Sequence, residues 1–126
     1  EKIFKQFLID NNIEFNEDSS HHTKADTYDF IIKNHLLVDV KTRTKDFHTR
    51  TLEMVEQFTK NPKDIYISVR LFSKHKNGFI IGWFGKNDVK KINRIENNGY
   101  LDNYVLYDEE LRNINTLFSN IERRGE

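Results

Sequence analysis

Asp39 and Lys41 sit two residues apart inside the apolar run Leu36-Leu37-Val38-Asp39-Val40-Lys41. Side chains of a strand alternate between its faces, so Asp39 and Lys41 point one way and Val38 and Val40 the other. A carboxylate and an ammonium in an apolar strand are costly to bury without a use. Upstream, Tyr28-Asp29-Phe30-Ile31-Ile32 is a second apolar run, separated from the first by the polar break Lys33-Asn34-His35. The two runs read as a β-hairpin, and Asp29 on the facing strand brings a second carboxylate toward Asp39. Clustered carboxylates repel unless a cation lies between them. The chemistry implied is a hard divalent metal site with an ammonium beside it.

The elements that must position these groups follow from periodicity. Residues 1–11 read as a helix with Ile3, Phe4, Phe7 and Leu8 on one face. Ile13 and Phe15 alternate with Glu14 and Asn16 as a short strand, and 17–24 is polar and loop-like. The hairpin spans 28–42, and a basic connection covers 41–50. Residues 51–60 read as a second helix, with Leu52, Val55 and Phe58 inward and Thr49 or Thr51 as N-cap. Ile65, Ile67, Val69 and Leu71 alternate with Tyr66, Ser68 and Arg70 as a strand, paired in a hairpin with a strand over 79–84. A helix is expected over 87–97, closed by Gly99, then an extended stretch over 100–107. A last helix over 109–121, capped by Asp108, would carry Leu111, Ile114, Leu117, Phe118 and Ile121 on one face. Helix, three strands, helix, strand predicts an α/β fold with its sheet packed between helices. Asp29 and Asp39 then lie on central strands, within reach of Glu1 on the first helix.

An acid, a variable gap, then Asp or Glu, any residue and Lys is the pattern of the PD-(D/E)XK nuclease superfamily. This chain resembles it: Asp29 is followed by Asp39-Val40-Lys41, with Tyr28 where the family has Pro. Many members place a Glu on the first helix in a run of the type Glu-x-x-Phe-x-x-x-Leu, which Glu1, Phe4 and Leu8 match. The resemblance covers about the first seventy residues, element order included. It implies a restriction-endonuclease-like mixed β-sheet flanked by helices, and a metal-dependent deoxyribonuclease. Asp29, Asp39 and the Val40 carbonyl would hold Mg²⁺ or Mn²⁺, and Lys41 would act on the reacting phosphate. Glu1 is either a further catalytic carboxylate near the metal or a helix-start acid favoured by the macrodipole. Small size, and Gly82-Trp83-Phe84 followed by a Lys-rich helix, look like phage-type or archaeal Holliday-junction-resolvase-like members. Such enzymes act as symmetric dimers, and the apolar surplus near the C-terminal helix permits a homodimer.

Composition sets bounds. The 126 residues suggest a single domain over 1–126. The chain lacks a starting Met and opens directly in a helical pattern, so a few residues before Glu1 are expected to be missing. Acidic and basic residues number 20 each, so any nucleic-acid surface must be local. With no Cys, thiol nucleophiles and Cys-ligated zinc are excluded. No apolar run approaches the ~20 residues of a membrane span, so a protein of the cytoplasm, or of the host cytoplasm if phage-encoded, is expected. Ten Phe and five Tyr are enough for a compact core.

Around the exit from the catalytic strand, Arg43, Lys45 and Arg50 are candidates for phosphate contacts to DNA. Their bland alternative is a solvated face balanced by acids such as Asp46. Lys86, Lys90 and Arg94 fall on a helical stripe and read as solvated. Gln57 is either a surface residue or an aid to the site. Trp83 and Tyr66 read as core rather than as base-stacking platforms. The competing function is a catalytically inactive nucleic-acid-binding module of the same fold; a structural protein with an accidental motif is a third.

Overall fold

The computed structural model describes residues 2–17, 29–33, 35–43, 50–71, 78–97, 99–117 and 119. It opens with α1 (Lys2–Asp10), then β1 (Phe15–Glu17), β2 (Phe30–Ile32) and β3 (Leu36–Arg43). β4 (Arg50–Met54) and α2 (Val55–Lys60) come next, then β5 (Ile65–Leu71) and β6 (Gly78–Gly85). α3 (Lys86–Ile92), β7 (Ile95–Asn97) and β8 (Asp102–Tyr107) complete the regular elements, followed by two short 3₁₀ turns.

β1, β2 and β3 form an antiparallel meander, β5 lies parallel to β3, and β6 returns antiparallel to β5. The result is a mixed five-stranded sheet of order β1-β2-β3-β5-β6. Every residue from Ile65 to Val69 is buried, so β5 must be covered on both faces. α1 covers one face: Phe4 and Leu8 pack with Phe30, Ile32, Val38, Ile65, Ile67 and Val69. On the other face, Tyr66 and Phe84 stack with ring centroids 4.9 Å apart, and Phe58, Val89 and Leu106 close over them. That second layer is α2, α3 and a three-stranded antiparallel sheet of order β4-β8-β7. The chain is therefore a mixed α/β protein. Among the described residues, no helix is long and apolar enough to cross a membrane.

Three expected helices are corrected. Of 51–60, only the last six residues are helical; Arg50–Met54 is a strand paired with β8. Its Leu52, Val55 and Phe58 mimic a helical stripe, but Thr51 and Glu53 alternate with them into the interior. The expected helix over 87–97 ends at Ile92, because Asn93 takes the left-handed conformation at φ 48° and caps it. Gly99, expected to close that helix, lies instead in the β7–β8 turn at φ +125°. In place of the last helix, 108–110 and 114–116 form 3₁₀ turns; Phe118 and Ile121 lie outside the described residues. Between the turns, Arg112 exchanges two backbone hydrogen bonds with Trp83 (2.9 and 2.8 Å), extending the edge of β6. Leu111, Ile114 and Leu117 pack into the two cores, so this apolar surplus serves folding.

Gly82 is what lets that edge close. A Cβ there would meet the Arg112 carbonyl at 2.7 Å and the Leu111 Cβ at 2.8 Å. Gly82→Ala is therefore expected to destabilise the protein by about 1–3 kcal/mol, the range for overpacking. Urea denaturation checks this.

Candidate active site

β2 and β3 pair with Phe30 across from Val38 and Ile31 across from Leu37. Asp29 lies just before β2, outside that register, with its carboxyl near enough to Asp39 to raise the Asp39 pKa. The Asp29 N–H donates to the Val38 carbonyl at 2.9 Å, and Asp29 Oδ2 accepts from the Val40 N–H at 2.7 Å. The N–H and C=O of one strand residue point to the same side, so the Val40 carbonyl also points toward Asp29.

Lys41, on the Asp39 face, donates to Asp39 at 2.8 Å and to Glu53 of β4 at 2.6 Å. Glu53 does not stand out in the sequence, because Leu52, Val55 and Phe58 around it read as a helical stripe. The signal lay in Leu52-Glu53-Met54, an acid inside an apolar run, the same anomaly that marks Asp39. Its side chain is only 5% exposed, and its charge helps raise the pKa of the buried Tyr66 phenol. Beside it, Thr51 and Ser68 share a buried hydroxyl hydrogen bond of 2.6 Å, which fastens β4 onto β5.

Burial pushes the Asp39 carboxyl above the ordinary range; Lys41 opposes this and the Asp29 carboxylate adds to it. For Lys41, burial works to lower the ammonium's pKa, but Asp39 and then Glu53 outweigh it and the net shift is upward. Lys41 is thus held as a cation at neutral pH. Burial, reinforced by Glu53 and Asp39, pushes the Tyr66 phenol up. Asp39, Lys41 and Glu53 line an open cleft of about 440 Å³ together with Met54, Gln57 and Asn103. Gln57 therefore faces the site.

The other candidates divide. Arg43, two residues past Lys41, shares its strand face; burial and then the Arg50 charge lower its guanidinium pKa, with Asp108 opposing. Arg50 ion-pairs with Glu96 of β7. Glu1 and Lys45 lie outside the described residues. α1 packs on the sheet face opposite Asp39 and Lys41. Of the expected basic stripe, Lys86 pairs with Asp64 at 3.3 Å, while Arg94 falls past the end of α3 and pairs with Glu110. Trp83 and Tyr66 are buried, as read from the sequence.

No protein-family model, curated protein or solved structure matches this chain.

Among the described residues, no three His, Cys, Asp or Glu side chains are grouped to hold a metal ion. The oxygens on offer are the neighbouring Asp29 and Asp39 carboxyls and the Val40 carbonyl, all hard donors. That set suits Mg²⁺ or Mn²⁺, since Mg²⁺ keeps several waters and takes only one or two carboxylates.

Proposed function

We propose that this chain is a metal-dependent deoxyribonuclease of the PD-(D/E)XK type, with a restriction-endonuclease-like fold. The observation that carries the proposal is the Asp29 carboxyl close to Asp39, with Lys41 paired to Asp39 where both line an open cleft. The order of elements in the first layer supports it: a helix, an antiparallel three-stranded meander, then, after β4 of the second sheet and a short helix, a strand returning parallel to the third. Asp29, Asp39 and the Val40 carbonyl would hold Mg²⁺ or Mn²⁺. Bound there, the cation would supply Lewis-acid stabilisation of charge on the scissile phosphate. The chain's own groups do the rest. Asp39 and Glu53 hold the Lys41 ammonium at the cleft, where it neutralises charge growing on the phosphate. Paired with Asp39 and Glu53, Lys41 is placed to orient the nucleophile and neutralise the phosphate. Gln57 offers an amide to position water in the same cleft. Arg43 sits one strand repeat further along and takes a neighbouring DNA phosphate. Paired cuts in a junction need symmetric sites, so a homodimer belongs to this proposal for such substrates.

The test is incubation with plasmid, linear, single-stranded and four-way-junction DNA. Cleavage is expected with Mg²⁺ or Mn²⁺ and none with excess chelator. Full cleavage under chelator overturns the proposal; binding without cleavage under either metal favours the inactive DNA-binding module.

A further inference from the structure

Next to the catalytic cleft, a second groove of about 290 Å³ is lined by Met54, Val55, Glu56, Tyr100, Leu101 and Asp102. Met54 lines both, so the two adjoin. Tyr100 is 88% exposed, with Leu101 at 39% and Met54 at 38%. Hydrogen bonds tie together the residues that flank Tyr100. Asn97 Nδ2 donates to Asp102 Oδ1 at 2.9 Å, and the Gly99 N–H donates to Asn97 Oδ1 at 2.8 Å.

Among the described residues, no lysine or arginine lines this groove, and its charged groups are the carboxylates of Glu56 and Asp102. Glu56 pairs with Lys60 across one helical turn, and Asp102 takes the Asn97 amide. A phosphate is repelled from such a surface. A nucleobase suits it: a π-face for the tyrosine ring, apolar contact for Met54 and Leu101, and exocyclic N–H donors for carboxylate oxygens. We infer that the groove receives one unpaired nucleobase of the DNA whose phosphate lies at Lys41. The inference rests on the nuclease reading for the position of that phosphate. It names the substrate class: DNA with an unpaired amino-bearing base beside the cut, as in a bulge, a single strand or a junction arm. A base inside a continuous duplex must first leave its stack, which disfavours it.

The probe is a short duplex carrying one unpaired 2-aminopurine, whose fluorescence falls on stacking, mixed with the full chain in chelator so that no cleavage occurs. Wild type and Tyr100→Phe are expected to bind and quench it. Tyr100→Ala is expected to lose the quenching and bind roughly tenfold more weakly, the size of one lost base–aromatic stack. The fully paired duplex is expected to bind all three proteins equally. Equal binding and quenching by Tyr100→Ala overturns the inference, as does absence of quenching by wild type. Cleavage in Mg²⁺ is assayed separately. Tyr100-dependent quenching without cleavage removes the nuclease reading and leaves the base site. Cleavage with Tyr100-independent binding removes the base site alone.

Discussion

Lys41→Ala is expected to lower DNA cleavage by roughly 100- to 1,000-fold, the scale for losing one preorganised charge-stabilising group. It is expected to lower stability too. Lys41 is the cation for Glu53, whose side chain is 5% exposed. Breaking a buried ion pair leaves an uncompensated charge, at a cost of about 3–5 kcal/mol. Lys41 keeps 27% exposure, so the lower end applies. Adding Glu53→Gln to Lys41→Ala removes the stranded charge, so the double variant is expected to regain most of the stability and none of the activity. Urea midpoints and plasmid nicking rates read the two effects separately. Wild-type cleavage by Lys41→Ala would make Lys41 a structural residue. No loss of stability in that variant would show that Glu53 does not depend on it.

Asp39→Asn is expected to abolish cleavage and yet leave the metal-free protein as stable as wild type or more so. The Asp39 pKa is raised by burial first, and further by Asp29. A raised carboxyl pKa means the folded state disfavours the charged form relative to the unfolded chain. An amide carries no charge and escapes that penalty, while Lys41 keeps Glu53 as its partner at 2.6 Å. The relief of the carboxylate pair is on the order of 1 kcal/mol at such a partly solvated site. The variant is also expected to lose the stabilisation that Mg²⁺ gives wild type, since a ligand bound to the folded state raises stability by mass action. Thermal melting of both proteins, with and without Mg²⁺, measures each difference. A strongly destabilised metal-free variant would make Asp39 half of a structural ion pair with Lys41.

Much of this arrangement is legible in the amino-acid order because it is local. The period-two runs around Lys33 require a hairpin. Its short turn sets the register of Phe30–Ile32 against Leu36–Val38, strand alternation puts Asp39 and Lys41 on one face, and Asp29 lies just beyond the paired residues. Ile65, Ile67 and Val69 mark the parallel neighbour in the same way, and the buried run from Ile65 to Val69 demands cover on both sides. The second layer was not legible. Leu52, Val55 and Phe58 fit a helical stripe, and the strand that overrides that pattern, β8, lies far along the chain. Without β8 there was no ladder for Arg50–Met54 and no reason to send Glu53 inward. Asn93 likewise ends α3 early because β7 must turn to pair with β8. The sequence by itself determined the carboxylate pair and the lysine beside it, since strand alternation and a tight turn are properties of a few neighbouring residues. Only the tertiary structure decided that Glu53 grips Lys41, that Gln57 faces the cleft and that Tyr100 stands beside it. Those contacts join segments whose meeting depends on long-range pairing, which no local periodicity encodes.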